Sequence, residues 1–125
     1  MKTVIQTKNA PAAVGPYSQA IDVGDFVFCS GQIPLVPETG LMVEGGIEEQ
    51  TRQMFTNIQA VLAEAGLGLE NIIKTTVFMT DLGLFATFNG IYAEYFPAEP
   101  PARSCVEVSA LPKGAMVECE VIAKR

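Results

Sequence analysis

Two helix-like segments enclose one strand-like segment in the middle of the chain, and this arrangement constrains the fold most. Between residues 47 and 65 the apolar positions alternate steps of four and three, which marks one face of an α-helix. The β-branched run 72–79 predicts a central strand. Asp81 is a suitable N-cap for a second helix over 82–96, which Pro97 ends.

Strand-like segments make up most of the remaining sequence. Residues 1–8 indicate a short edge strand, and 20–23 with 26–30 form a hairpin around the turn Gly24-Asp25. Two further strands are predicted at 101–108 and 116–123. Together these segments predict one α+β domain over residues 1–125, a mixed sheet with two helices packed on one face.

Composition indicates that the other face of this sheet is also covered. Charged residues are 18 % of the chain, against about 25 % in an average soluble domain. The predicted strands are apolar on both sides, so the helices cannot bury all of them. A second copy of the chain is the natural cover, which makes a closed homo-oligomer the expected state.

The charge balance bears on partners and location. The net charge is −6 and the eight basic residues are scattered, which makes nucleic acid an unfavourable partner. No apolar stretch is long enough to span a bilayer, and the N-terminus lacks the apolar region of a signal peptide. We therefore expect a cytoplasmic protein with no membrane partner.

The chemistry available to the chain is limited by what it lacks. It contains no histidine, which excludes Ser-His-Asp and Cys-His catalysis and removes the commonest zinc ligand. Cys29, Cys105 and Cys119 form no Cys-x-x-Cys pair, and each is expected to be a small buried hydrophobe. Chemistry must then use arginine, carboxylates, hydroxyls, backbone groups and water, and we expect neither a metal nor a cofactor.

Arg103 is the most informative single residue, since it lies among strand formers in the segment PARSCVEV. A guanidinium is costly to bury, and its planar fork of donors grips a carboxylate with two parallel hydrogen bonds. Arg103 is therefore either an anion clamp or half of a structural salt bridge. The last strand can bring a carboxylate beside it, but strand periodicity does not choose between Glu118 and Glu120.

Four ordered segments resemble the RidA/YjgF family of reactive-intermediate imine deaminases. They are NAPAAVGPYSQ at 9–19, SGQIP at 30–34, KTTVFMTDL at 74–82, and PARSCVEV at 101–108 with LPK and VE at 111–113 and 117–118. The resemblance covers nearly the whole chain. One departure is Cys119, where an aliphatic residue is usual, and it concerns packing.

This resemblance implies a chorismate-mutase-like fold and a homotrimer with sites between adjacent subunits. The implied reaction is hydrolysis of 2-imino acids or their enamine tautomers (2-aminoacrylate, 2-iminopropanoate, 2-iminobutanoate) to 2-keto acids and ammonia. Arg103 would clamp the substrate carboxylate, and Glu118 would hold and polarise the attacking water or shuttle protons. Five further residues would bind substrate: Tyr17, Ser30, Gly31, Asn89 and Cys105, the last through backbone groups rather than as a thiol nucleophile.

Other functions remain open from the sequence. The same cleft could bind small carboxylates without turnover and regulate a partner. Ribonuclease or translation-inhibitor activity is attached to some members of the family, but the acidic balance and the absent histidine argue against it. The sequence does not address a holdase role, the preferred imine, or whether the loop 36–46 shapes the pocket.

Overall fold

The chain forms a six-stranded mixed sheet with two helices on one face, as a computed structural model of residues 2–125 describes it. The elements in chain order are β1 (Thr3–Ile5), β2 (Ala20–Asp22), β3 (Phe26–Gln32), α1 (Ile47–Glu64), β4 (Ile72–Met79), α2 (Phe85–Tyr95), β5 (Ala102–Glu107) and β6 (Val117–Lys124). This order and the α+β class confirm the prediction from periodicity.

The strands lie in the order β1-β2-β3-β6-β4-β5. Every pairing is antiparallel except that of β4 with β5, which α2 connects as a parallel crossover. β1 is at one edge, as predicted, and β5 is at the other. β4 therefore lies between β5 and β6, so the two last strands of the chain are not neighbours.

One face of the sheet packs against both helices and forms the core. On β6 the residues Val117, Cys119, Val121 and Ala123 are buried, and they alternate with more exposed ones. On α1, Phe55 is fully buried and its ring stacks on Tyr95 of α2 at 4.3 Å between centroids. Burying such a side chain contributes about 1.5–3 kcal/mol, so this aromatic contact fixes the helices against each other.

The opposite face, which we call the open face, carries an apolar stripe across four strands. Val4, Ile21, Phe28 and Ile122 are paired in register from β1 to β6. Phe28 is 47 % exposed and Val4 is 55 % exposed, although both are large apolar side chains. A contiguous apolar patch of this kind is typical of an interface, and its cover by another copy stays a prediction.

Helix ends follow the sequence signals with one difference. Gly66 takes a left-handed conformation (φ 76°) directly after α1, as expected of its C-terminal glycine. Asp81 caps a 3₁₀ turn over Leu82–Leu84 by accepting from Gly83 N at 2.8 Å, so α2 begins three residues later than predicted. In residues 2–125 no helix combines the length and apolarity needed to cross a membrane.

Candidate functional site

A cleft of about 500 Å³ opens between the open face and the loops that surround it. Four of the predicted site residues line it together: Tyr17, Ser30, Gly31 and Glu118. Lys113 and Glu120 line it as well. The sequence assigned these four residues to one pocket from three separate motifs, and the fold brings the three motifs into contact.

The carboxylate of Glu118 packs directly on the backbone of Gly31. A Cβ atom built at residue 31 would lie 2.6 Å from Oε2 and 2.9 Å from Cδ of Glu118, closer than real contacts allow. Gly31 and Glu118 lie on paired strands, β3 and β6, and the register of this pair shifts between Cys29 and Gln32, next to Gly31. Gly31 therefore makes room for the acid, where the sequence predicted a backbone approach to substrate.

Ser30 and Tyr17 form the neighbouring part of the wall. The Ser30 hydroxyl donates to the carbonyl oxygen of Ser18 at 2.6 Å, which ties β3 to the segment that carries Tyr17. Tyr17 is 49 % exposed at the mouth of the cleft. Its ring can thus lie over a bound molecule, while the Ser30 oxygen keeps lone pairs available to accept a hydrogen bond.

Glu118 differs from Glu120 in its surroundings, although both point to the open face. Glu118 is half-buried, whereas Glu120 is exposed. Burial raises the pKa of the Glu118 carboxyl above its usual range, and the nearby charge of Glu120 raises it further. A carboxyl in a cleft whose pKa is raised accepts a proton more readily than an ordinary carboxylate does.

Arg103 lies elsewhere, on the edge strand β5, against helix α2. Its Nη1 donates to Oδ1 of Asn89 at 2.7 Å. Its guanidinium carbon lies 4.7 Å from the ring centroid of Tyr92 and 5.3 Å from that of Phe85, in cation–π contact with both. Among residues 2–125 no carboxylate lies within 4.0 Å of Arg103, so the salt-bridge alternative is not observed.

The aromatic platform under Arg103 was not anticipated from the sequence. Phe88 and Tyr92 pack in the core, as expected for a helix face on a sheet. The Tyr92 hydroxyl also shares a hydrogen bond of 2.8 Å with Thr75 Oγ1 on β4, and burial raises the pKa of Tyr92. Tyr92 is therefore held neutral and fixed in orientation. The spacing of Phe85, Asn89 and Tyr92 at steps of four and three was the available signal.

Cys105 follows Arg103 by two residues and shares its side of β5. Burial raises the pKa of the thiol, and the adjacent arginine offsets this only in part. Cys105 is thus mainly a neutral thiol, which argues against a thiolate nucleophile. Cys29 and Cys119 are buried free cysteines, as predicted, whereas the prediction is wrong for Cys105, which is only partly buried because β5 is an edge strand.

The predicted site residues fall into two groups on opposite faces of the sheet. Thr75 and Val77 of β4 pair with Arg103 and Cys105, and they face the helices. Phe78 pairs with Glu118 on the open face. The expectation that the last strand brings a carboxylate beside Arg103 is therefore wrong within one chain, because β4 separates the strands and the two side chains point apart.

Neither group of site residues is built like a metal site. Within the described residues 2–125, no cluster of three or more histidine, cysteine, aspartate or glutamate side chains could hold a metal ion. The arrangement instead offers a cation with free donors at one surface and a tuned carboxyl in a cleft at another. Such groups bind an anion and move protons.

Residues 7–125 match the family model described as Endoribonuclease L-PSP. A RutC family protein of Pyrococcus horikoshii is 54 % identical over 123 residues, covering 98 % of each chain. The chloroplastic Reactive Intermediate Deaminase A of Arabidopsis thaliana is 48 % identical over 122 residues, covering 98 % of this chain and 65 % of the relative. The crystal structure of Escherichia coli TdcF with bound serine superposes with a TM-score of 0.94 at 46 % identity, covering 98 % of each chain.

Proposed function

Because this chain belongs to the RidA/YjgF family, we propose that it hydrolyses reactive 2-imino acids and their enamine tautomers to 2-keto acids and ammonia. The substrates would be 2-aminoacrylate, 2-iminopropanoate and 2-iminobutanoate. A curated relative carries the name of a reactive intermediate deaminase, which supports this reaction.

The observation that carries the proposal is the state of Arg103. Its guanidinium is fixed by two aromatic rings and one neutral amide, and no acid of the described chain neutralises it. A guanidinium has five N–H donors, so most of them remain for a ligand. A small carboxylate gripped by two parallel bonds fits this site, and a relative binds serine, which carries one.

Glu118 would act on the water. As a carboxylate it accepts a proton from water while the water oxygen bonds to the imine carbon. The same carboxyl returns that proton to the nitrogen, which gives a carbinolamine. The carboxylate then takes the proton of the carbinolamine hydroxyl and passes it to the amine, so that the carbonyl forms, the C–N bond breaks and ammonia leaves. Its raised pKa makes the carboxylate a stronger base than an ordinary exposed glutamate, which favours taking a proton from water. Arg103 orients the imine carbon towards this water.

Two copies would complete one site. Arg103 with Asn89 and Cys105 lies at the β5 edge, and Tyr17, Ser30, Gly31 and Glu118 lie on the open face. One chain cannot point both groups into one cleft, so the β5 edge of one copy would meet the cleft of another. The exposed apolar stripe of the open face supports such an assembly. A homotrimer is the arrangement that the family favours.

A binding function without turnover is the second candidate. Escherichia coli TdcF, a relative, holds a bound serine, which supports binding of a small amino acid. Endoribonuclease activity, which the family description names, has less support here. The Glu118 cleft holds two carboxylates and one lysine, a balance that repels a phosphodiester backbone.

A coupled dehydratase assay tests the proposal. A pyridoxal-phosphate dehydratase generates 2-iminobutanoate from threonine or 2-aminoacrylate from serine, and keto-acid release is followed with and without this protein. We expect faster release with the wild type and with Arg52→Ala, an exposed arginine on α1 that serves as control. Arg103→Ala should lose about 100-fold in kcat/KM, as loss of charge-assisted hydrogen bonds predicts. Calorimetric binding of 2-ketobutyrate without any rate effect would favour the binding function instead.

A further inference from the structure

Three loops wall the Glu118 cleft, and their only regular features are a bridge between Leu35 and Met42 and a 3₁₀ turn over Pro112–Gly114. The first, 6–19, joins β1 to β2 and contributes Pro11 and Tyr17. The second follows β3 and contributes Ile33 and Leu35, and the third precedes β6 and contributes Pro112 and Lys113. Loops without strand partners leave backbone groups that need other hydrogen-bond partners.

Gln19 supplies those partners for the first loop. Its side chain is only 3 % exposed. Oε1 accepts from Thr7 N at 2.7 Å, and Nε2 donates to the carbonyl oxygens of Thr7 at 3.1 Å and Pro11 at 2.8 Å. The amide thus ties both ends of the turn 7–11 to the start of β2, with Pro11 itself in the cleft wall.

Two amides on α1 do the same for the other loops. Asn57 Nδ2 donates to the carbonyl oxygens of Ile33 at 3.1 Å and Leu35 at 2.9 Å. Gln50 Oε1 accepts from Met116 N at 2.8 Å, two residues before Glu118. Asn57 is fully buried and Gln50 is 5 % exposed. They lie seven residues apart, two turns of one helical face.

We infer that Gln19, Gln50 and Asn57 are positioning residues that hold the three walls of the Glu118 cleft and keep it formed before substrate binds. They are three of the four buried amide side chains of residues 2–125, and the fourth, Gln32, lines the cleft itself. A neutral amide satisfies loop carbonyls and N–H groups without placing a charge beside Glu118. The kinetic part of this inference rests on the proposed function.

Amides that bond to the backbone also stabilise a fold wherever they lie, so the test needs a control amide. Asn71, which is only partly buried, serves for this, because it holds a loop away from the cleft by accepting from Gly68 N at 2.9 Å and donating to Lys124 O at 3.1 Å. The variants are Gln19→Met, Gln50→Met, Asn57→Leu and Asn71→Ala. If a variant fails to fold, Gln19→Asn and Asn57→Ser keep a polar group of insufficient reach.

The first measurement is amide hydrogen exchange by mass spectrometry without any ligand. The variants of Gln19, Asn57 and Gln50 should each exchange faster than Asn71→Ala in the loop that the residue holds. These loops are 7–17, 33–36 and 108–116, respectively. Unchanged exchange in the corresponding loop would overturn the inference. This measurement needs no turnover, so it tests whether the three amides hold the loops even if the wild type releases no keto acid. Absence of keto-acid release would count against the proposed function alone.

The second measurement is kcat/KM at a temperature where every variant is folded. The variants of Gln19, Gln50 and Asn57 should each lose about tenfold more kcat/KM than Asn71→Ala, since a misplacement of about 1 Å can cost about 100-fold in rate. In a double-mutant cycle, Gln19→Met and Tyr17→Ala should be non-additive, because Gln19 acts through the loop that carries Tyr17. Additive losses, or losses equal to the control, would reduce the amides to structural residues.

Discussion

The carboxylate of Glu118 occupies the space that a side chain at Gly31 would fill. A single β-carbon there would have to displace the carboxylate, because the three atoms nearest to a Cβ at Gly31 all belong to the side chain of Glu118. Glu118, the proposed proton carrier, can therefore take its position partly because Gly31 on the neighbouring strand has no side chain.

Gly31→Ala should lower kcat by about tenfold or more while leaving the fold intact, because the flexible end of Glu118 can move aside at the cost of its alignment. Keto-acid release in the coupled assay measures the change, with thermal unfolding as the check on folding. Gly46→Ala is the matched control, since a Cβ there meets nothing within 4 Å. Equal activity in the two variants would show that Glu118 does not need its observed position.

Asn89→Asp should raise KM more than Asn89→Ala does. The aspartate would keep the contact with Arg103 at about the observed 2.7 Å, but as a charged pair that competes with the substrate carboxylate. We expect about a tenfold difference in KM between the two variants, of the order of one charge-assisted hydrogen bond. If Asn89→Asp is the better enzyme, Arg103 is a structural partner and not a carboxylate clamp.

Glu118→Gln should abolish turnover and yet stabilise the fold at neutral pH. Burial raises the pKa of Glu118 in the folded chain, so the folded state holds its proton more tightly than the unfolded state does. Stability is then greatest below the usual carboxyl range and declines as pH rises through the raised pKa. Glutamine cannot ionise and avoids this decline.

Thermal unfolding of wild type and Glu118→Gln between pH 4 and pH 8 measures the effect. The variant should gain a few degrees in Tm at pH 8, and the gain should shrink towards pH 4. In the pH–rate profile, Glu120→Gln should move the acid limb to lower pH, because it removes the second cause of the raised pKa. A profile unaffected by Glu120→Gln would exclude Glu118 as the titrating group.

Arg103→Ala should keep only about one hundredth of the activity and Glu118→Gln none, but together the two variants should complement each other. When the two variants are unfolded, mixed in equal amounts and refolded, about one quarter of intersubunit sites would combine an intact Arg103 with an intact Glu118. We expect activity near that fraction of wild type. Mixing the already folded assemblies is the control, and absence of recovery after joint refolding would place both residues in separate sites.

Sequence reasoning predicted the elements better than their neighbours. The helical stripe and the β-branched run located α1 and β4 to within one residue, because each pattern is local. The position of β5 beside β4 and away from β6 was missed. The alternation of side chains defines the two faces of a strand, but it shows neither which strand pairs with it nor which faces of two strands lie on the same side of the sheet. For that reason the sequence pattern could not show that Arg103 and Glu118 point to opposite faces of the sheet.

The residues of the site were found mainly through motifs, and their supports were not. Tyr17, Ser30 and Gly31 came from segments that resemble a family, and they do line one cleft with Glu118. The aromatic platform of Arg103 and the amides behind the loops depend on contacts between segments distant in sequence, such as Gln50 with Met116. Glutamine and asparagine carry no distinctive pattern when each acts alone.

The strand β4 has one consequence for a chain on its own. It lies between β5, whose Arg103 faces one side of the sheet, and β6, whose Glu118 faces the other. The guanidinium and the carboxylate of one chain therefore cannot form an ion pair with each other. Each charge stays available at a separate surface, with opposite signs on the two surfaces that would meet. Attraction between unlike patches of identical molecules would guide them head to tail, and a ring is the closed form of that contact.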